Sequence, residues 1–447
     1  MRDDVALVSR ALEQVDTLIL LVGGNPLPNA VSAKALLANG GHVVLVESRE
    51  TKGIADRLAE HLRREQVLAP SLEHTCVEPD DPRDVRLHVN SILRTVPSDH
   101  RVGLNYTGGT KVMVAHSYYA VREWAKENHR SVQFSYLSPD GLRMVVEPYD
   151  GCGPCLQFSL GTTVSMSFDD LLELHDWELA EAPRRSGTAL GGLRSALIQM
   201  QCNEKARDDW RDTVVDPLRK ALDRLEQAHS TTPAKASACE NEVGSMIMGF
   251  PSTPFLANSL AEATGTVRGG GLEPDGVNGA HLDIRISDAA RNAGFSNCRD
   301  FLSWLCGGWL EECAFMAFSD IAEECGLHDI MWNATIRAQH SQFSEDQSVG
   351  FEIDCVAMRG YQVFVVSCTR DKKAKIRKWK LFEAHMRATQ LGGDEARFAL
   401  VCTSDRPELV KEECRRDLLT EGQAPVEVFG ARDLAFLPER LKKWILG

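Results

Sequence analysis

The chain has 447 residues, with 50 Lys and Arg against 64 Asp and Glu and a formal charge of −14. That balance excludes a protein that coats nucleic acid through a uniformly basic surface, and the length exceeds the roughly 250–300 residues of one hydrophobic core, so two or three domains are expected. A composition of 43% hydrophobic and 26% charged residues is that of a folded protein; no apolar run approaches the ~20 residues of a membrane span, and a soluble, cytoplasmic protein with no membrane partner follows.

Residues 1–150 alternate strands and helices. The runs 17–22 (TLILLV) and 43–47 (VVLVE) are apolar throughout, as strands covered on both faces are, and a helical pattern over 28–39 lies between them, stopped by Gly40-Gly41. Further strands are expected at 74–78, 102–105, 131–136 and 144–147, with a helix from about Lys111 to Asn128. This is the rhythm of a doubly wound sheet, which binds ligands outside the carboxyl ends of its strands. The thirteen cysteines read as thiols rather than a disulfide framework. Cys152-Gly153-Pro154-Cys155 matches a redox tetrapeptide in letters only, because it follows a strand and a turn instead of opening a helix.

From 166 to 229 the pattern turns helical and charged, with Trp177, Leu193, Leu197, Trp210 and Leu225 among its apolar positions. Residues 230–237 (STTPAKAS) read as a flexible segment and 265–279 (GTVRGGGLEPDGVNG) as a Gly-rich loop. Beyond 295 come helix (301–325), strand (351–358), strand (361–368), helix (378–391) and strand (398–402), a second α/β core. The histidines occur singly, without HExxH or HxH spacing, and are expected on the surface or satisfied in the core. Trp309, Trp332 and Trp379 are also expected in the core.

Two loops at strand ends carry the chemistry of the first half. Val22-Gly23-Gly24-Asn25-Pro26, with Asn29 just beyond, presents backbone N–H groups at a helix start. Asn105-Tyr106-Thr107-Gly108-Gly109-Thr110-Lys111 closes one strand and opens a helix, placing two glycines, hydrogen-bonding side chains and a Lys at the positive end of a helix dipole, which suits a phosphate-bearing ligand. The spacing is not that of a Walker loop. With the segment Gly307-Gly308-Trp309-Leu310-Glu311-Glu312 further on, this N-x-T-G-G-T-K run resembles the CARF-domain effectors of type III CRISPR systems, and most closely those in which the CARF domain is fused to a PD-(D/E)XK-type nuclease.

The resemblance implies an α/β protein of three parts: a Rossmann-like CARF domain at 1–165, a mostly helical middle region at 166–294, and a restriction-endonuclease-like domain at 295–447. It implies a homodimer that binds a cyclic oligoadenylate, in the family usually the four-membered ring (cyclic tetraadenylate), through Gly24, Asn25, Asn29, Asn105, Thr107, Gly108, Gly109, Thr110 and Lys111. It further implies a nuclease domain acting on single-stranded DNA and/or RNA. A ring with two-fold symmetry is naturally read by two copies of one loop.

In the second half, Glu352 and Asp354 alternate with Ile353 and Cys355 along a strand, and Glu311 and Glu312 follow Trp309-Leu310 in a helix. Clustered carboxylates suit Mn²⁺ or Mg²⁺. Glu312 or Glu311 with Asp354 would hold the metal, and Lys380 would stabilise charge, giving a metal-dependent phosphodiester hydrolase. The family's Glu-x-Lys is here Ser367-Cys368-Thr369. The missing charges could lie in 370–380 (RDKKAKIRKWK), with Lys380 and Glu383 at i and i+3; Glu352 could supply the carboxylate; or catalysis could be lost. Gln390 resembles the helix Gln that some nucleases of this fold place near the site. Two rivals follow: a catalytically degenerate sensor that binds nucleic acid or a protein partner, and a CARF domain that itself cleaves the ring.

Overall fold

The computed structural model describes residues 12–64, 70–139, 141–147, 154–161, 163–229, 232–250, 282–339, 350–418 and 426–447. Cys152, the Gly-rich loop at 265–279 and the start of the segment at 230–237 lie outside the described residues. No described helix is long and apolar enough to cross a membrane.

The first sheet takes strands β1 (Val15–Leu21), β2 (Leu37–Glu47), β3 (Ser71–Cys76), β4 (Val102–Asn105), β5 (Val132–Ser138), β6 (Arg143–Val146) and β7 (Leu156–Ser159) in the order β3-β2-β1-β4-β5-β6-β7. The first five run parallel, and β6 and β7 are antiparallel. Along β1, Leu18 and Leu20 enter one core while Ile19 and Leu21 enter the core on the other face, which is why the run is apolar without alternation. The chain order reverses between β1 and β4, so the loops after these two strands share one crevice. The first crossover helix, Leu27–Leu36, ends earlier than the glycine signal suggests: β2 already begins at Leu37, and Gly40 with φ of +72° sits inside it.

The second sheet has the order β15-β14-β13-β12-β11-β8, from β8 (Trp177–Leu179), β11 (Leu327–Ala338), β12 (Gly350–Arg359), β13 (Gln362–Thr369), β14 (Arg397–Cys402) and β15 (Glu427–Phe429). A separate two-stranded ribbon joins β9 (Ile247–Phe250) to β10 (Leu282–Arg285). Trp177 therefore belongs to a strand, not to the helical stretch expected there. β11 escapes the sequence pattern because Asp329 and Asn333 adopt positive φ and its pairing with β12 shifts register between His328 and Met331, which breaks the two-residue period.

The described residues of 166–294 share cores with other parts of the chain. Leu193, Leu197, Trp210 and Leu225 share one cluster with Trp309, Phe318, Phe364 and Val366, so the helices Gly191–Met200, Glu204–Trp210 and Asp216–His229 pack on the second sheet. A second cluster links both halves: Leu18 and Val43 of the first sheet join Phe168, Met358, Leu381 and Leu391.

The long helix Ala374–Gly392 ends at this junction. A Cβ on Gly393 would lie 2.5 Å from Asn25 Nδ2 and 3.4 Å from Glu395 Oε2, so the first-half loop and a buried carboxylate converge there. Burial pushes the Glu395 carboxyl up to about 7 from its ordinary 4.5. Because its pKa is raised on folding, its favourable share of stability is complete below about 4.5 and is lost as pH rises through about 7. Glu395→Gln is expected to match the wild type in urea unfolding at pH 4.5 and exceed it by about 2–3 kcal/mol at pH 8.5.

Candidate functional site

Two clusters of functional side chains lie toward opposite ends of the long helix. At the first, the loops after β1 and β4 touch: a Cβ on Gly23 would meet Gly109 N at 3.0 Å, and one on Gly108 would meet Leu21 O at 2.3 Å. Gly109 also has φ of +80°, a conformation glycine adopts without strain. The polar side chains of the loop divide by role. Asn105 is buried; its Oδ1 accepts from Thr107 N at 3.2 Å and Thr107 Oγ1 at 2.8 Å, and its Nδ2 donates to Ser135 Oγ at 3.1 Å. Thr107 Oγ1 in turn accepts from Leu137 N at 2.7 Å. Thr110 caps the helix Lys111–Glu127 by accepting from Met113 N and donates to Pro79 O. These residues are engaged in building the loop, whereas Gly24 and Lys111 stand exposed at its mouth.

Asn25 Oδ1 accepts from Leu27 N at 3.0 Å and starts the first crossover helix. Asn29 is buried, with Nδ2 donating to Leu21 O at 2.9 Å and its own Oδ1 without a hydrogen-bond partner. Sequence reasoning missed Glu147, whose two oxygens accept from Tyr106 and Tyr118. Burial and this carboxylate raise both phenols, and so the aromatic residue inside the loop is pinned as a neutral donor.

The second cluster centres on Asp354, on β12, with only 5% of its side chain exposed. Its Oδ2 accepts from Ser367 Oγ at 2.8 Å and Cys368 N at 2.6 Å, and Lys380 Nζ lies 3.3 Å from both oxygens. The Ser-Cys-Thr departure therefore orients the aspartate through a hydroxyl and a backbone N–H, while the cation arrives from the long helix. Burial works against the ammonium, but Asp354, Glu311 and Glu352 outweigh it and hold the Lys380 pKa above its ordinary value. Glu383 lines the same small recess as Asp354 and Lys380. Gln390 lies apart from it, exposed and accepting from Arg387.

Glu312 does not join this group. It is fully buried and turned toward the middle region, where its carboxylate pairs with Arg194 and accepts from Thr188 N at 2.7 Å, Thr188 Oγ1 and Trp304 Nε1. Its neighbour Glu311, about 100° away around the helix, is the one that senses Asp354 and Glu352. Burial and those two carboxylates push Glu311 well above the usual carboxylate range, and burial with Asp354 raises Glu352 too. The Trp309 helix follows a wide turn over Trp304–Gly308, a local widening that recurs at functional sites. Trp309 and Trp332 are buried as expected, but Trp379 is 69% exposed beside Lys380.

This fold is shared with solved structures. Can2 from Sulfobacillus thermosulfidooxidans, in complex with cyclic tetra-adenylate, matches with a TM-score of 0.60 at 15% identity, over 96% of this chain and 99% of that one. Protein VC1899 from Vibrio cholerae matches with a TM-score of 0.60 at 14% identity, over 98% of each chain. The expected mixed α/β architecture is thus common to nearly the whole length of two known folds. No family model matches the sequence, and no curated protein does.

The carboxylates suit a hard divalent ion in part. Among the described residues no three His, Cys, Asp or Glu side chains form a ready-made cage. However, Glu311 and Asp354 are mutually repelling carboxylates, and Mg²⁺-type ions are commonly held by one or two carboxylates, with water and phosphate completing the shell.

Three variants separate these roles by thermal and urea unfolding. Glu312→Ala strands Arg194 and should cost about 3–5 kcal/mol. Glu311→Gln should leave stability unchanged or improve it above neutral pH, because its raised pKa makes the charged form the unfavourable one. Gly108→Ala should cost about 1–3 kcal/mol by driving a methyl group into Leu21 O.

Proposed function

We propose that this protein is a cyclic-oligoadenylate-responsive effector of type III CRISPR defence, a homodimer whose second half hydrolyses phosphodiester bonds of single-stranded DNA or RNA. One observation carries the reading: Asp354 and Lys380 pair beside the end of β13, Glu311 interacts with both and also borders a basic cleft, and the same chain holds a phosphate-suited pair of glycine loops. The Can2 fold, solved with cyclic tetra-adenylate, supports that ring as the ligand of the first half.

In this reading the exposed Gly24 and Lys111 meet the ring's phosphates, with Gly108, Gly109 and Thr110 beside them at a helix start. Asn105 and Thr107 act one step back, holding the loop in shape. In the second half, Glu311 and Asp354 would hold Mn²⁺ or Mg²⁺, which supplies Lewis acidity and a more acidic bound water. Ser367 Oγ and Cys368 N fix the Asp354 carboxylate, and Lys380 places a positive charge where negative charge develops on a phosphate oxygen. The long helix gives the two sites a shared part: Lys380 pairs with Asp354 near its start, and Gly393, just past its end, abuts Asn25 of the ligand loop. A ring that moves Asn25 would bias the helix carrying the lysine.

A second reading, a binding domain without catalysis, is favoured by the Lys380–Asp354 pair itself, which neutralises the aspartate without a metal. Cleavage of labelled single-stranded DNA and RNA, with Mn²⁺ or Mg²⁺ and with or without cyclic tri-, tetra- or hexaadenylate, separates the two. The nuclease reading expects ring-dependent cleavage that falls at least about 100-fold in Asp354→Ala and in Lys380→Ala. Ring binding with no cleavage in any metal would leave the sensor.

A further inference from the structure

Beside Glu311 a cleft of about 590 Å³ opens between the end of β13 and the helices that span residues 204–229. Six basic residues line it, Arg207, Arg211, Arg219, Arg370, Lys372 and Lys373, against four carboxylates, in a chain whose net charge is −14. Half of those cations already have partners. Arg207 grips Asp405 with both terminal nitrogens, while Arg211 and Lys372 share Asp208. Arg219, Arg370 and Lys373 have no carboxylate within ion-pair distance among the described residues.

Arg370 is the unusual member. It directly follows β13, its guanidinium donates to the Cys306 carbonyl, and burial, helped by the like charge of Arg219 and only partly opposed by Cys306 and the more distant Asp216, pushes its pKa down to about 10. Two guanidinium groups that face one cleft and lack a matched carboxylate are stabilised by an anion from outside, and their planar forks suit phosphate oxygens. A cleft of this size encloses a short stretch of single chain and is too small to take a duplex. Glu311 borders the cleft and also senses Asp354, so a strand lying along it continues to the carboxylates.

We propose that this cleft is a single-stranded nucleic-acid subsite, in which Arg370 and Arg219 hold a backbone phosphate adjoining the one presented to Asp354. The proposal rests on the nuclease reading for where the strand leads, but not for whether it binds. It gives the middle helices a direct role as one wall of the substrate track.

The test is fluorescence anisotropy of labelled single-stranded DNA and RNA oligonucleotides on the full-length protein carrying Asp354→Asn, with and without cyclic tetraadenylate, across a salt series. Adding Arg219→Glu, at an exposed position, should weaken binding about tenfold or more and lower the slope of log affinity against log salt by about 0.7 or more. Arg370→Lys keeps the charge and loses the fork, so it should weaken binding with the slope unchanged. Lys375→Glu, the same charge change at an exposed position outside the cleft, should have less effect. Unchanged affinity and slope in Arg219→Glu, equal binding of a duplex, or no binding of either strand under any condition would overturn the proposal. Arginine-dependent binding by a wild-type protein that cuts nothing would uphold the subsite and reject the catalytic reading.

Discussion

The pairing of Lys380 with Asp354 is the contact on which the second half is arranged. Asp354 has little exposure to water, and a carboxylate so placed is tolerable only when its oxygens are met. Ser367, Cys368 N and Lys380 meet them from two elements: the neighbouring strand and the long helix. Because the ammonium comes from a helix, the distance between helix and sheet is tied to the charge state of the site. Glu311 and Glu352 then lie in a field where a further cation would relieve repulsion.

The same helix reaches the first half. Its apolar face contributes Leu381, Ala388 and Leu391 to the cluster shared with Leu18 and Val43, and in the turn after it Gly393 lies so close to Asn25 that a Cβ there would crowd the amide. Packing is thus continuous from the glycine loops to the carboxylates. Interiors packed at this density do not deform smoothly, which is the physical condition for one site to bias another.

Adjacent glutamates on the Trp309 helix show how a one-residue step separates structure from chemistry. Glu312 is engaged by Arg194, Thr188 and Trp304, and so anchors the middle helices to the second sheet. Glu311 has burial without comparable compensation. Arg207, Arg211 and Arg219 of the middle helices line the cleft that Glu311 borders.

Much of this protein can be read in its residues. The uninterrupted apolar runs announce a sheet covered on both faces, and the glycine spacing in N-Y-T-G-G-T-K announces a backbone turn at a helix start, because both depend on local sterics and a short hydrophobic period. Asp354 and Lys380 are legible as residue types in a suggestive order. Tertiary structure decides what no local pattern encodes: that β11 is a strand despite its register shift, that Glu311 rather than Glu312 faces Asp354, that Asn105 and Thr107 support their loop, and that Trp379 lies in solvent. For the polar residues among these the deciding partner sits elsewhere in the fold, as Arg194 does for Glu312 and Leu137 N does for Thr107. Side-chain direction and burial depend on such distant partners, so they are fixed only when the chain has folded.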